Sequence, residues 1–308
     1  MTKIFIDGSA GTTGLRIRER LSCRSDLELL TLPESLRKDP EARKDALNAA
    51  KVAFLCLPDD AAREAVSLVS SPDTVIIDTS TAHRTADGWT YGFPELEGQR
   101  KKIASSCRIA NPGCHASGFI ALAAPLVQAG LLSRDARLSC FSLTGYSGGG
   151  KKMISAYESA ARPVSFQAPR QYGLGQKHKH LPEMSAVCGL VHDPVFCPVV
   201  APYYAGMEVT VPLTPAETSA APDEIREIYR DYYRSGLVRF TESPDEEGFL
   251  SAGGLAGRDD MEISVYGTAE RILLIARFDN LGKGASGAAI QNMNIVLGMD
   301  EASGLISS

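Results

Sequence analysis

Lys3 to Leu21 reads KIFIDGSAGTTGLRIRERL: a short apolar run, a glycine turn and an amphipathic helix. Gly8, Gly11 and Gly14 fall at G-x-x-G-x-x-G spacing, a variant of G-x-G-x-x-G. Strand, glycine turn and helix in this order form a dinucleotide-binding context. Glycines let the backbone approach a pyrophosphate, which rests on the free N–H groups of the helix start. Gly8, Ser9, Gly11, Thr12, Thr13 and Gly14 are therefore candidate cofactor contacts. The alternative is a tight strand-to-helix turn that holds nothing.

Working outward, Leu27 to Leu32 (LELLTL) reads as the second strand. An acidic residue after this strand often grips the ribose 2′-OH of NAD. Here PESLRK follows: Glu34 is present, but Ser35, Arg37 and Lys38 suit a 2′-phosphate and lean towards NADP. A solvated charge cluster is the alternative. VAFLCLP (Val52 to Pro58) reads as a third strand before a helix, DDAAREAVSLV, and the VIID of Thr74 to Arg84 suits a central parallel strand. YGFPEL (Tyr91 to Leu96) reads as a loop, and KIASSCRIANPGC (Lys102 to Cys114) carries a last strand or two. Strands alternating with helices predict a doubly wound α/β sheet of Rossmann type. Leu57, Pro58, Ser80, Asn111 and Pro112 then lie at strand C-termini, the edge where such sheets bind ligands.

Ile109 to Leu122, IANPGCHASGFIAL, ends that pattern. Pro112 and Gly113 make a turn, and Phe119, Ile120, Leu122, Ala123, Leu126 and Val127 recur at the spacing of a buried helical face. Cys114 sits at the mouth of this helix, where free N–H groups and the dipole favour a thiolate. It is a candidate nucleophile. An ordinary buried cysteine is the other reading.

The remainder predicts a second domain. Ala136 to Met153 (ARLSCFSLTGYSGGGKKM) reads as a strand and a glycine loop in which Lys151 and Lys152 suit a phosphate or carboxylate, or a flexible surface loop. In YGLGQKHKHLPEM (Tyr172 to Met184), His178 and His180 flank Lys179, with Glu183 just after. An H-x-H pair on a strand points both rings to one face. No third metal ligand is spaced nearby, so an acid/base partner for Cys114 is the better chemical use, with solvated loop histidines as the alternative. Long β-rich runs (195–213 and 262–281) around the helix-like PDEIREIYRDYYRSG predict an α+β domain with a mixed or antiparallel sheet. The last stretch, DNLGKGASGAAIQNMNIVLGM, reads as a glycine turn and a helix that returns to the nucleotide domain. The expected division is 1–113 with 284–308, and 114–283 for catalysis and oligomerisation.

Bulk properties narrow the class. The 308 residues are 44% hydrophobic and 22% charged, ordinary for a soluble globular protein, and suit one large or two medium domains. A net charge of -5 offers no basic footprint for nucleic acid. No apolar run approaches membrane-spanning length, and Met1-Thr2-Lys3 leads into a strand rather than a signal peptide. Seven scattered cysteines without a C-x-x-C pair argue against a disulfide scaffold or zinc site and for a cytoplasmic setting.

NPGC, the paired histidines before PE, and the terminal DNLGKGASGAAIQNMN together resemble the N-acetyl-gamma-glutamyl-phosphate reductases, shorter type, of the semialdehyde dehydrogenase superfamily. The resemblance runs from the glycine turn to the last helix. It implies a NADP-binding Rossmann domain, a catalytic domain with a mixed sheet, and a homodimer or homotetramer acting on a small acyl phosphate. It places the catalytic cysteine at Cys114 and the acid/base at His178, with His180 as the close alternative. STAHR stands where the family reads S-A-D-F-R, which implies that Arg84 binds substrate carboxylate or phosphate. Lys151, Asn111 and Glu183 join it as candidate substrate residues, and Asn280 falls on the nicotinamide side. His115 stands where a tyrosine is usual, Ala116 where longer members carry proline, and SGGGKK where the longer type ends in arginine. The implied chemistry is attack of the Cys114 thiolate on the acyl carbon, loss of phosphate, and reduction of the thioester by NADPH, with His178 protonating the oxyanion. Aspartate-semialdehyde dehydrogenase is the nearest rival; a NADP-binding redox sensor and a cysteine hydrolase are more distant ones.

Overall fold

The computed structural model describes residues 1–234 and 236–307. The chain forms two compact units: Met1–Pro112 with Ala285–Leu305, and Gly113–Gly284 with the residues from Ile306.

The first unit runs β1 (Thr2–Asp7), α1 (Thr12–Ser22), β2 (Leu27–Leu30), α2 (Pro40–Ala49), β3 (Val52–Leu55), α3 (Asp59–Leu68), β4 (Val75–Asp78), β5 (Thr90–Tyr91), α4 (Gln99–Ala104) and β6 (Arg108–Ala110). Among the described residues these strands make one parallel sheet, order β2-β1-β3-β4-β6-β5. The strands read as continuous apolar runs because both faces are covered. Ile4, Ile6, Val52 and Phe54 meet Ile17 and Leu21 of α1 on one face. Phe5, Ala53 and Leu55 meet Leu47 of α2 and Ala62 and Ala65 of α3 on the other. Strand order reverses between β1 and β3, a topological switch point.

The differences from the sequence reading are local. β2 stops at Leu30 because only Leu27–Leu30 pair with β1; Thr31 to Pro33 peel away to line a cavity. β3 ends at Leu55, and Cys56 to Pro58 form the turn into α3. Helix α2 escapes the sequence reading: its buried face is only Arg43, Ala46 and Leu47, although Asp39 caps it through the Ala42 N–H at 2.8 Å and Pro40 opens it. Lys102 to Ala104, expected as strand, belong to α4, where Ile103 is buried. Thr90–Tyr91 form a short strand at the start of the expected loop.

The second unit runs α5 (Cys114–Gln128), β7 (Ser139–Gly145), α6 (Gly150–Glu158), β8 (Arg170–Gln171), α7 (Leu181–Cys188), β9 (Val195–Ala201), β10 (Met207–Leu213), α8 (Pro222–Tyr232), β11 (Val238–Phe240), β12 (Met261–Thr268) and β13 (Arg271–Phe278). The sheet is mixed, order β11-β12-β13-β10-β7-β9-β8; β11/β12 and β7/β9 are parallel, the other pairs antiparallel. A π-helical turn, Gly282–Ser286, then leads into α9 (Gly287–Val296), whose Ala289, Ile290 and Met293 sit in the core of the first unit. Among the described residues, no helix is long and apolar enough to cross a membrane.

Helix α5 is the buried axis of the second unit. A Cβ at Gly118 would stand 2.6 Å from the Val209 side chain, so glycine lets the helix lie directly on β10. Pro125 within α5 cannot donate to the Ala121 carbonyl. The Tyr233 hydroxyl donates to that carbonyl instead, at 2.7 Å, and Tyr229 donates to Leu122 O at 2.6 Å. The proline is thereby tolerated, and the helix that carries Cys114 is anchored from its far end.

Candidate active site

The glycine turn follows β1 at the switch point. Gly8 has φ +86°, and a Cβ there would stand 2.2 Å from the Cys56 carbonyl oxygen. A Cβ at Gly14 would stand 2.5 Å from Gly8 O. Both positions thus require glycine, one for conformation and one for close approach. Helix α1 starts at Thr12; its cap residue Gly11 offers no side-chain acceptor, and no acidic residue occupies the first turn. The Thr12 hydroxyl is buried without a hydrogen-bond partner. An uncapped helix start beside an orphaned hydroxyl fits a phosphate oxygen. Beside it lies a cavity of about 420 Å³ lined by Gly8, Ser9, Leu57, Arg18, Glu34, Arg37 and Lys38 among others. These residues fit a dinucleotide. Thr13 lies in the first turn of α1. Ser35 is exposed and outside the cavity lining, and Pro58 caps α3.

The second site is in the other unit. Cys114 is the first residue of α5, and its cap residue Gly113 also lacks a side-chain acceptor. The Gly113 N–H donates to Glu183 Oε1 at 2.6 Å, and the Gly113 carbonyl accepts from Ser117 N–H at 2.8 Å and Ser117 Oγ at 3.0 Å. A Cβ at Gly284 would stand 3.0 Å from Cys114 Cβ, so bare backbone walls the thiol on that side. Cys114 is partly exposed, whereas Cys140 and Cys188 are buried and burial pushes their thiols upward. Cys114 is the accessible one at a helix start.

His178 and His180 are not on a strand. They lie in the turn that ends at α7, with His180 as its cap residue and ring centroids 4.8 Å apart. The reason lies upstream: Gln176 adopts φ +50°, uncommon for a non-glycine, and turns the chain there. Its side-chain amide donates to Phe196 O at 2.7 Å and accepts from Phe196 N–H at 2.9 Å, so the turn is tied to β9. His115, the residue after Cys114, packs at 5.8 Å from the His178 ring and 5.4 Å from His180. Burial pushes His115 down to about 3, helped by the charges of His178 and Lys179. Burial, then Lys179, also lowers His178 below its ordinary 6.5. Both shifts favour the neutral imidazole.

The other sequence candidates separate. Arg84 is half-buried; Nε donates to Asn111 O at 3.0 Å and an Nη to Thr79 O at 3.1 Å, at the C-terminal ends of β6 and β4. Asn111, proposed from sequence for substrate, has its amide spent: Nδ2 donates to Ala285 O, and Oδ1 accepts from Asn292. Glu183 is buried on the Gly113 N–H, and Ser80 on Asp78 Oδ2 at 2.7 Å, an acceptor shared with His83 at 2.6 Å. Asn280 is buried, accepting from Gly206 N–H and donating to Ser147 Oγ. Each of these four side chains is hydrogen-bonded within its own unit. The expected loop around Lys151 is a short 3₁₀ turn (Tyr146–Gly149) followed by α6, with Lys151 and Lys152 exposed in its first turn. Sequence reading missed Ser142, Tyr172 and Gln176; the only signal was a serine and a tyrosine amid apolar or glycine-rich runs. Among the described residues, no group of three or more His, Cys, Asp or Glu is placed to hold a metal ion.

Comparison with known proteins agrees with both halves. Residues 3–106 match the family described as semialdehyde dehydrogenase, NAD binding domain, and residues 114–280 match semialdehyde dehydrogenase, dimerisation domain. The chain is 45% identical over 313 residues to N-acetyl-gamma-glutamyl-phosphate reductase 2 of Pseudomonas putida, covering 98% of each chain. It is 47% identical to N-acetyl-gamma-glutamyl-phosphate reductase of Brucella anthropi, covering 96% of this chain and 98% of that one. Among solved structures, aspartate semialdehyde dehydrogenase II of Vibrio cholerae, complexed with ASA, aligns with a TM-score of 0.73 at 16% identity, covering 96% of this chain and 98% of that one. Aspartate semialdehyde dehydrogenase with NADP from Candida albicans aligns at 0.66 and 15%, covering 96% and 99%. At that identity the likeness is one of fold, whereas the close, full-length relatives carry the specific kinship: the chain belongs to the N-acetyl-gamma-glutamyl-phosphate reductases of the semialdehyde dehydrogenase superfamily.

Proposed function

We propose that the chain reduces N-acetyl-gamma-glutamyl phosphate to N-acetylglutamate semialdehyde with release of phosphate, a step of arginine biosynthesis, using NADPH. The observation that carries this reading is Cys114, partly exposed at the uncapped start of α5, with His115 beside it packed on His178 and His180.

Neutral His178 can accept the thiol proton, which an imidazolium could not. The free N–H groups at the start of α5 favour negative charge at Cys114, both on sulfur and on the adduct that forms there. The thiolate forms a bond to the acyl carbon, the acyl–phosphate C–O bond breaks, and the proton held on His178 goes to the departing phosphate. A Cys114 thioester remains. NADPH, when bound, supplies the hydride that reduces its carbon. The tetrahedral adduct on Cys114 then collapses to aldehyde and thiolate, and sulfur regains a proton from solvent. Arg84 and Lys151 are the cations proposed to hold substrate phosphate and carboxylate. Glu183, Asn111, Ser80 and Asn280 each hold one backbone group, at Gly113, Ala285, Ala82 and Gly206 respectively.

Arg18, Arg37 and Lys38 on the nucleotide cavity support NADP over NAD, with Glu34 as the lone opposing charge among these four. All seven cysteines are free, which suits the cytoplasm. The match to a dimerisation domain supports a homodimer or homotetramer.

The reverse reaction tests the substrate: NADPH formation from N-acetylglutamate semialdehyde, NADP and phosphate, with aspartate semialdehyde and NAD in parallel. Phosphate-dependent turnover of the acetylated aldehyde with NADP is expected. Turnover of aspartate semialdehyde alone would move the chain to the rival substrate.

A further inference from the structure

The nucleotide cavity carries a negative charge where phosphates are expected. Asp7, the last residue of β1 and the one before Gly8, lines the cavity together with Ser9, Arg18, Arg37 and Lys38, and is only 4% exposed. A dinucleotide lays its pyrophosphate on the glycine turn that follows, and a carboxylate at that point opposes it. The compensating charge comes from behind. Arg43, buried on α2 and not among the lining residues, donates from Nε to Asp7 Oδ2 at 3.0 Å, and its Nη2 lies 3.0 Å from the same oxygen. Its remaining nitrogen, Nη1, reaches Glu64 Oε2 on α3 at 3.4 Å. One guanidinium thus joins β1, α2 and α3.

We infer that Arg43 is a positioning residue of the dinucleotide site: by neutralising Asp7 from beneath the cavity, it lets the glycine turn accept the pyrophosphate of a cofactor. Magnitudes favour this reading. The start of α1 offers roughly half a positive charge to an anion. An uncompensated carboxylate beside it carries a full negative one, in surroundings that screen it poorly, and would outweigh the helix. Paired with Arg43 it presents only a short dipole, whose field falls off faster than that of a charge. Arg43 therefore acts on the cofactor through Asp7. The groups facing Asp7 are Arg43 from α2, Glu64 from α3 and Cys56 after β3. Burial raises the Asp7 carboxyl above its ordinary 3.8 while Arg43 pulls it down, so loss of Arg43 drives it higher still. Without Arg43, the cofactor binds best with Asp7 protonated. Affinity is then highest at low pH and falls as pH rises through that raised value.

The inference rests on this cavity taking the cofactor, and the test separates the two. Fluorescence titration with NADPH, and in parallel with NADH, measures affinity without turnover. Arg43→Gln should weaken both about 10-fold at neutral pH, because both carry the pyrophosphate, and the loss should shrink as pH is lowered. Arg43→Lys keeps the charge and should recover most of it. Asp7→Asn combined with Arg43→Gln should restore affinity and flatten the pH profile. Asp7→Asn alone leaves the cation in place and should bind both nucleotides at least as tightly as the unmodified protein. Thermal unfolding without cofactor identifies any variant that fails to fold, and Asp7→Asn carries the test alone if Arg43→Gln does. Weaker binding in folded Asp7→Asn, a pH-independent loss in Arg43→Gln, or a double variant no better than Arg43→Gln would overturn the role. Failure of the unmodified protein to bind either nucleotide would instead overturn the cofactor reading of the cavity.

Discussion

The starts of α1 and α5 are the same device built in opposite ways. Both helices begin after a glycine with no side-chain cap, so both present free N–H groups to an anion. At α1 the surroundings are left open: the Thr12 hydroxyl has no partner, and the adjoining cavity carries arginine and lysine towards solvent. At α5 the surroundings are committed. Glu183 takes the Gly113 N–H, Gly284 presses on Cys114, and both nitrogens of His115 are engaged. A site for a diffusible ligand needs unsatisfied groups that the ligand completes on arrival. A site for a covalently attached reactive atom needs its neighbours fixed beforehand.

The largest effect that can break this contrast is removal of the fixed atom. Cys114→Ser should lower turnover by about three orders of magnitude or more while NADPH binding, measured by fluorescence titration, stays intact. Strong residual reduction would remove the covalent role. At the other helix, Gly8→Val would drive side-chain carbons into Cys56 O in a backbone region hostile to β-branched residues. It should weaken NADPH binding about 100-fold or more, yet leave Cys114 open to alkylation. Loss of both together would show that the two sites are not separable.

Glu183→Ala sharpens the comparison from the committed side. It leaves the Gly113 N–H without its acceptor and should cut kcat about 10- to 100-fold with little change in KM, with Glu183→Gln recovering most of it. Arg37→Ala with Lys38→Ala should raise KM for NADPH about 10-fold and spare NADH, because these cations can act only on the extra phosphate. The smallest effect concerns pH. His178 must be neutral to accept the thiol proton, and its folded pKa lies below 6.5. Activity limited by this group is therefore full above that value and falls as pH drops through it, so the acid limb of kcat/KM belongs below 6.5. His178→Asn should abolish that limb.

The same contrast explains what could be read in advance. The open site was legible because it is contiguous: strand, glycines and helix follow one another from Lys3 to Leu21, and local periodicity suffices. Cys114 was legible for the same reason, as Pro112 and Gly113 precede a buried helical run. The groups that fix it were not, since Ser142, Tyr172 and Glu183 reach the start of α5 across 27, 57 and 70 residues respectively. The histidine pair was found with the wrong backbone: Gly173 at φ +64° and Gln176 at φ +50° turn the chain just before it, and the side-chain bonds that tie this turn to β9 reach across 20 residues. Helix α2 was missed because its buried face includes Arg43, which reads as solvent-facing until Asp7 is found 3.0 Å away.

Mixing the protein with N-acetyl-gamma-glutamyl phosphate in the absence of NADPH tests the covalent route most directly. The first half-reaction should proceed and stop at the thioester. Intact and peptide mass spectrometry should then find one acyl group, attached to Cys114 and discharged when NADPH is added. An unmodified protein, or an acyl group on another cysteine that NADPH does not remove, would contradict catalysis through Cys114.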